Sequence, residues 1–316
     1  MNCRICSASD LLEIETKEMM FGTREVFMYE KCQHCGSLQI QKIPENLGKY
    51  YPAHYYSYND NAKVQASKFI NSLKGTYAHL YLGTKKGSLF HGLLEQVYKA
   101  NFLRQFQFPG ITFDSKILDV GCGNGAKLQY LHRHGFKNLE GIEPFIDKDL
   151  FFENGIRVYK RSVEEHDGTY DVIILNHVFE HVENPGETLI GLSRLLNEQG
   201  TLIIAMPVAD SYAEKEYGAN WIAMDPPRHL HIFSEKGMVD FVEKFGYTIK
   251  SVLYNSTEKQ FIGSELFKQG IPLISEKNNS GSIFTKSQVK EFRKRAKKLN
   301  NRREGDAAAY YLKKLN

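Results

Sequence analysis

Three groups of residues in this chain have the types and spacing to do chemistry. Four cysteines stand as Cys3-Arg-Ile-Cys6 and Cys32-Gln-His-Cys35, two C-x-x-C turns. Two such turns deliver four thiolates, a tetrahedral set with no open coordination position, so the spacing predicts one structural Zn²⁺ on Cys3, Cys6, Cys32 and Cys35. A thioredoxin-like redox pair would need a β-α-β setting, and neither turn has one. The fifth cysteine, Cys122, has no cationic neighbour in sequence and reads as an inert small residue. Second, Gly121, Gly123 and Gly125 alternate directly after the apolar run Ile117–Val120, and Glu143 closes the next such run. Glycine lets a backbone approach a ligand and adopt positive φ, while a carboxylate at the following strand end accepts both hydroxyls of a ribose. The pair predicts an adenosine-containing cofactor at the carboxyl edge of an open sheet. Third, Asp225-Pro226-Pro227-Arg228-His229-Leu230-His231 carries two histidines, the side chain whose unperturbed pKa suits proton transfer near neutrality.

The elements around these residues follow from periodicity. Strand-like stretches Leu11–Glu15 and Glu25–Glu30 lie between the cysteine turns, and helix-type spacing runs through 61–108, clearest at Leu93, Leu94, Val97, Tyr98 and Phe102. Beyond Phe113 short apolar runs alternate with helical stretches: strands at Lys116–Val120, Asn138–Ile142, Ile156–Lys160, Tyr170–Leu175, Thr201–Met206 and Tyr247–Tyr254, with helices at Ala126–His134, Pro185–Leu196 and Glu235–Phe245. That alternation predicts an α/β fold, a Rossmann-like, mostly parallel sheet with helices on both faces, a small N-terminal zinc-binding module and helical additions. The expected division is 1–58 for the zinc module, 59–114 for a helical linker or lid, and 115–316 for the cofactor domain. Residues 207–233 read as a long irregular stretch, of the kind that usually has a function. Asn278–Ser282 reads as a flexible loop.

The loop spacing is G-x-G-x-G with Asp119 two positions ahead, not the G-x-G-x-x-G of dinucleotide folds. In this the chain resembles class I S-adenosylmethionine-dependent methyltransferases. Asp171-Val172-Ile173-Ile174-Leu175-Asn176-His177-Val178-Phe179-Glu180-His181-Val182, with Asn184-Pro185 behind it, is similar to that family's fourth strand and turn. The resemblance covers about 115–255. It implies S-adenosylmethionine as cofactor, held by Asp119, Gly121, Gly123, Gly125, Glu143 and Pro144. Ser162 and Val163 would meet the adenine, and Asn176 and His177 the methionine moiety. An N-terminal four-cysteine domain is similar to that of bacterial sugar and surface-glycan methyltransferases, whose segment E-H-x-x-Y-F-S places its histidine at His229 when Phe233-Ser234 is aligned. That resemblance implies a nucleotide-linked sugar or glycan precursor as acceptor and His229 as base. Arg228 in place of Glu and Ile232 in place of Tyr leave O-methylation open beside C-methylation. Arg228 and His231 are expected to hold a phosphate or carboxylate of the substrate, and Ser234 to cap the following helix. Tyr55, Tyr56 and Tyr58 form an aromatic cluster that packs or closes over a ligand.

Composition sets the outer bounds. The chain has 316 residues, 42% hydrophobic and 25% charged, which excludes disordered and collagen-like classes. Its 41 Lys and Arg against 37 Asp and Glu leave a net charge of +4, too small to demand a polyanion. The basic residues of the cysteine module, Arg4, Lys17, Arg24, Lys31, Lys42 and Lys49, are scattered, so nucleic acid is not expected as a partner. The basic stretch Lys286–Arg303 reads as a solvated helix face, interrupted by Glu291. No apolar run approaches the roughly 20 residues of a membrane-spanning helix, and Met1–Asp10 has no secretory pattern, so the reading is cytoplasmic. The rival readings are an RNA methyltransferase that uses the zinc module as reader, a non-catalytic S-adenosylmethionine-binding scaffold, and a nicotinamide oxidoreductase.

Overall fold

The computed structural model describes residues 2–51, 68–83, 103–274 and 283–315. Tyr55, Tyr56 and Tyr58, the spacing at Leu93–Phe102 and the Asn278–Ser282 loop lie outside the described residues. The chain forms two compact units, one of Met1–Pro52, His177–Leu189 and Ile204–Asn316, the other of Ala53–Asn176 and Ile190–Ile203. Compactness thus groups the cysteine module with the C-terminal third of the chain.

The second unit holds the glycine loop. Strands β4 (Lys116–Val120), β5 (Asn138–Ile142), β6 (Leu150–Phe151), β7 (Arg157–Tyr159) and β8 (Tyr170–Asn176) lie in the order β8-β4-β5-β7-β6. All are parallel except β6, which runs antiparallel to β7. Ile117, Leu118, Val172, Ile173 and Leu175 are fully buried, as expected of parallel strands covered on both faces. The registers matter more than the count. Val120 pairs with Ile142 on one side and Leu175 on the other, so three strands end on one line. Helices α1 (Lys68–Gly83) and α2 (Ala126–Arg133) belong to this unit, and α2 follows the glycine loop directly. Helix α3 (Pro185–Leu195) runs straight into the long strand β9 (Leu196–Pro207), each with residues in both units.

The first unit is built on two antiparallel arrangements. Strands β1 (Leu11–Lys17), β2 (Val26–Cys32) and β3 (Leu38–Ile40) form a meander, and β10 (His231–Ile232) adds to it antiparallel to β3. The predicted irregular stretch therefore contributes a strand to the N-terminal sheet, along with helix α4 (Tyr212–Tyr217) and two 3-10 turns. Strand β11 (Tyr247–Tyr254) pairs antiparallel with β12 (Ala307–Lys314), an element the sequence marks only as an apolar stretch. Helices α5 (Glu235–Lys244), α6 (Lys259–Lys268) and α7 (Lys286–Asn301) complete the unit. Ser234 caps α5 through Gly237 N–H at 2.8 Å, as its sequence position predicts. The core packs Trp221 with Tyr29, Leu38, Ile40, Leu230, Ile232 and Phe261, and the indole N–H of Trp221 donates to Asp306 at 3.1 Å. Among the described residues no helix is long and apolar enough to cross a membrane.

Gly141 shows how closely the second unit is packed. A Cβ there would stand 2.5 Å from Cys122 Sγ and 2.8 Å from Leu128 Cδ1. Gly141→Ala is expected to destabilise the protein by about 1 to 3 kcal/mol, the usual cost of overpacking. A lowered urea midpoint at unchanged m-value checks this, and an unmoved midpoint contradicts it.

Candidate active site

The line on which β4, β5 and β8 end is the carboxyl edge of the second unit's parallel strands. Gly121, Glu143 and Asn176 are the residues at or just past those aligned ends. The loop is held by its own backbone: Gly121 N–H donates to Ile142 O at 2.8 Å and Gly125 N–H to Cys122 O at 3.1 Å. Gly121, Gly123 and Gly125 have φ of +68°, +55° and +78°, which side chains rarely adopt. At Gly125 a Cβ would also stand 3.0 Å from Val158 Cγ2. Open backbone on this loop thus faces no Cβ of its own.

Glu143 is buried and accepts two backbone N–H bonds, from Gly123 and from Phe145, both at 3.1 Å. Burial raises its pKa, and the two N–H groups oppose the rise. Asp119 is buried in β4, where burial and the charge of Glu143 push it up to about 6 against the pull of Lys127. Lys127 also donates to Asn176 O at 3.5 Å. Two carboxylates and one ammonium therefore border the loop. Pro144 is exposed directly after Glu143. Ser162 and Val163 follow β7, with Ser162 N–H donating to Glu165 at 2.9 Å and Val163 buried. Burial drives the Cys122 thiol well up, in keeping with an inert residue.

The histidine segment lies in the first unit. His229 is 8% exposed, and its Nδ1 donates to Ala223 O at 2.7 Å, so Nε2 carries the lone pair. That nitrogen is 3.8 Å from Asp225 Oδ2 and 4.0 Å from Glu180 Oε1. Burial and the neighbouring His181 push His229 down to about 4, against the pull of the two carboxylates, so the imidazole is neutral near pH 7. His181 packs edge-on against it with centroids 4.8 Å apart, and its Nδ1 meets Arg228 O at 2.8 Å and Tyr51 Oη at 3.2 Å. Glu180 is fully buried; burial acts to raise its pKa, but the His177 hydrogen bond at 3.1 Å and the nearby imidazoles outweigh it and hold it at about 2. His177 itself is exposed, in left-handed backbone with φ +57°.

Arg228 and His231 are placed differently from the expectation that they grip a substrate anion. Arg228 has no exposed surface; its guanidinium donates to Asp225 at 2.5 to 3.1 Å, to Glu18 at 2.9 Å and to Tyr50 O at 3.2 Å. Its donors are taken up inside the unit. His231 is equally buried within β10, 3.3 Å from Glu183 O, and burial pushes it down to about 4. It carries no charge with which to hold a phosphate. Sequence reasoning missed Glu180, Tyr29 and Glu18 as parts of this arrangement. The signal for Glu180 is present in the Glu180-His181 pair of the strand-and-turn motif. Tyr29, whose hydroxyl donates to His229 O at 2.7 Å, lies about 200 residues away and leaves no local trace.

The four cysteines converge as their spacing predicts. Cys3 Sγ is 3.8 Å from Cys35 Sγ and Cys6 Sγ is 3.5 Å from Cys32 Sγ, and all four sulfurs lie within 4.8 Å of one another. Sulfurs bound at about 2.3 Å to one tetrahedral zinc stand about 3.8 Å apart, so the set fits the ion. Gly36, with φ +77°, makes the second turn possible, and its N–H donates to Cys32 O at 2.8 Å. This cluster is bonded to the histidine segment. Ser234 donates its hydroxyl to Cys35 O, its N–H reaches Ser37 Oγ at 3.0 Å, and β3 pairs with β10.

The sequence model of the methyltransferase domain family matches residues 90–252, more than half the chain. The chain belongs to this family. It is an S-adenosylmethionine-dependent methyltransferase. The methyltransferase is 30% identical over 173 residues to a ubiquinone biosynthesis O-methyltransferase of Rickettsia bellii, covering 48% of this chain and 70% of that protein. To the enzyme of the same name from Escherichia coli O6:H1 it is 29% identical over 156 residues, covering 46% and 64%. Among solved structures it is similar to an O-methyltransferase of a Brevibacillus brevis trans-AT polyketide synthase in complex with S-adenosylhomocysteine, with 15% identity, 75% and 79% coverage and TM-score 0.43. A methyltransferase of Archaeoglobus fulgidus aligns at 19% identity, 71% and 99% coverage and TM-score 0.43.

Removing the Glu143 carboxylate from the methyltransferase should cost cofactor affinity. Glu143→Ala is expected to weaken S-adenosylhomocysteine binding by about 1.5 to 3 kcal/mol, the range for hydrogen bonds to a charged group. Calorimetry reads this directly, and unchanged affinity would remove Glu143 from the site.

Proposed function

We propose that this methyltransferase transfers the methyl group of S-adenosylmethionine to a hydroxyl of a small polar acceptor, with His229 as the residue that orients that hydroxyl or takes its proton. The sulfonium supplies the methyl group; the chain must align the acceptor oxygen and deal with its proton. The observation that carries the reading is the His229 side chain, fixed by Ala223 O so that a neutral Nε2 lone pair stands clear of its own backbone partner. Oxygen as the acceptor atom is supported by the names of the two sequence relatives, which are O-methyltransferases.

A nucleotide-linked sugar or glycan precursor is the acceptor class we favour, on the strength of the four-cysteine module and the aligned histidine. A phenolic ring hydroxyl is the second reading, favoured by the ubiquinone biosynthesis relatives. Turnover to S-adenosylhomocysteine across both classes separates them. On the acceptor that turns over, His229→Ala should lose about 10² to 10⁴ in rate while cofactor affinity stays near wild type. Full turnover in that variant would refute the role.

The site assignments Asp119, Gly121, Gly123, Gly125, Glu143, Pro144, Ser162, Val163 and Asn176 for the donor, with His177 beside them in sequence, are part of the same proposal. So is one structural zinc on Cys3, Cys6, Cys32 and Cys35, supported by the sulfur spacing. Because that cluster is bonded to Ser234 and the β3-β10 pair, it would set the position of His229 from outside. Cys32→Ser is expected to lose about one zinc per chain by metal analysis and to lower the melting temperature. Unchanged zinc content would exclude the four-cysteine ligand set.

A further inference from the structure

Glu180, His181 and His229 bring one ligand atom each to a common place, all within 4.8 Å of one another. Glu180 is fully buried, and while its Oε1 meets His177, its Oε2 has no hydrogen-bond partner among the described residues. A buried carboxylate oxygen left in that state is costly unless something positive completes it. Both imidazoles meet a main-chain carbonyl through Nδ1, His181 that of Arg228 at 2.8 Å and His229 that of Ala223 at 2.7 Å. Nδ1–H bonding to a carbonyl fixes the ring and leaves the Nε2 lone pair outward, which is how metal-ligating histidines are held. The charge balance points the same way. Three buried carboxylates, Glu18, Asp225 and Glu180, stand with one buried guanidinium, Arg228. That leaves an excess of two negative charges among these four groups.

We propose that Glu180, His181 and His229 form a binding site for a first-row divalent cation such as Zn²⁺, distinct from the four-cysteine site. Two imidazoles and one carboxylate are the donor set of such ions, and three protein ligands leave a position open to a water or a hydroxyl. The fit is close: ligands at about 2.1 Å from one tetrahedral ion stand about 3.4 Å apart. His229 Nε2 and Glu180 Oε1 are 4.0 Å apart and need to close by roughly half an ångström. The inference stands on this geometry alone. Where the methyl-transfer reading also holds, His229 would serve as one of the ligands that hold the ion, and the ion when bound would supply a positive charge that favours the deprotonated form of a nearby acceptor hydroxyl.

The test uses the full chain dialysed against buffered micromolar Zn²⁺ and then analysed for metal. Wild type should hold about two zinc ions per chain, and Cys32→Ser about one. Glu180→Gln and the half-buried His181→Gln should each also fall to about one, with far-UV circular dichroism reporting that they are folded. Cobalt loading separates the two sites by signature, since only the cysteine site gives intense sulfur-to-metal charge-transfer bands. A single zinc in wild type that Cys32→Ser removes, or a second zinc that survives both Glu180→Gln and His181→Gln, overturns the proposal. Neither readout involves turnover, so loss of the metal site and loss of the methyl-transfer reading would be seen separately.

Discussion

The guanidinium of Arg228, sealed from water between Asp225 and Glu18, is the interaction on which the first unit turns. Asp225 is three residues away in the same turn, but Glu18 follows strand β1 near the other end of the chain. Glu18 is itself fastened by the N–H groups of Phe21 and Thr23, both at 2.9 Å. Burying a charge is tolerable only when its partners are in place, and removing one partner of such a pair typically costs about 3 to 5 kcal/mol. The pair therefore specifies which hairpin the 225–234 segment must meet. With Arg228 so held, His229 faces the group of Glu180 and His181, and His231 enters the N-terminal sheet.

The carboxyl edge of β4, β5 and β8 rests on a different kind of constraint. There, among the described residues, no buried ion pair fixes the geometry; strand register does. Because Val120 is level with both Ile142 and Leu175, the residues that follow each strand emerge together, and the chemistry of the edge is a consequence of where three parallel strands stop. Glu143 then ties the edge to the glycine loop through Gly123 N–H. One carboxylate thereby serves its own turn and the neighbouring one.

This difference explains what the sequence shows and what it hides. The glycine loop, Glu143, the four cysteines and the Ser234 cap are legible because each depends on a few neighbouring residues and a strand or turn that announces itself by periodicity. Strand Tyr247–Tyr254 is readable to its last residue. The roles of Arg228 and His231 are misread, since an arginine between histidines looks like an anion grip until its partner Glu18, remote in sequence, is placed beside it. Strand β10 escapes for the same reason: two residues carry no period of their own, and only pairing with Leu38 and Gln39 makes them a strand. Glu180 is visible as part of a motif, but its burial with no partner for Oε2 among the described residues is a property of packing alone.

The pairing of β3 with β10 also orders events in time. Residues 38–40 leave the ribosome long before His231 and Ile232, and their sheet has no fourth strand until the later segment is made. At about 5 to 20 residues per second that interval is roughly 10 to 40 s. During it the meander presents an unpaired edge, and Glu18 waits without its arginine. Four neighbouring thiols are held ready over the same interval. The contacts of Arg4 with Gln39 and Ile40, like the meeting of the four thiols, need only residues already synthesised. Until His231 and Ile232 are made, that bare strand edge stands exposed to neighbouring chains.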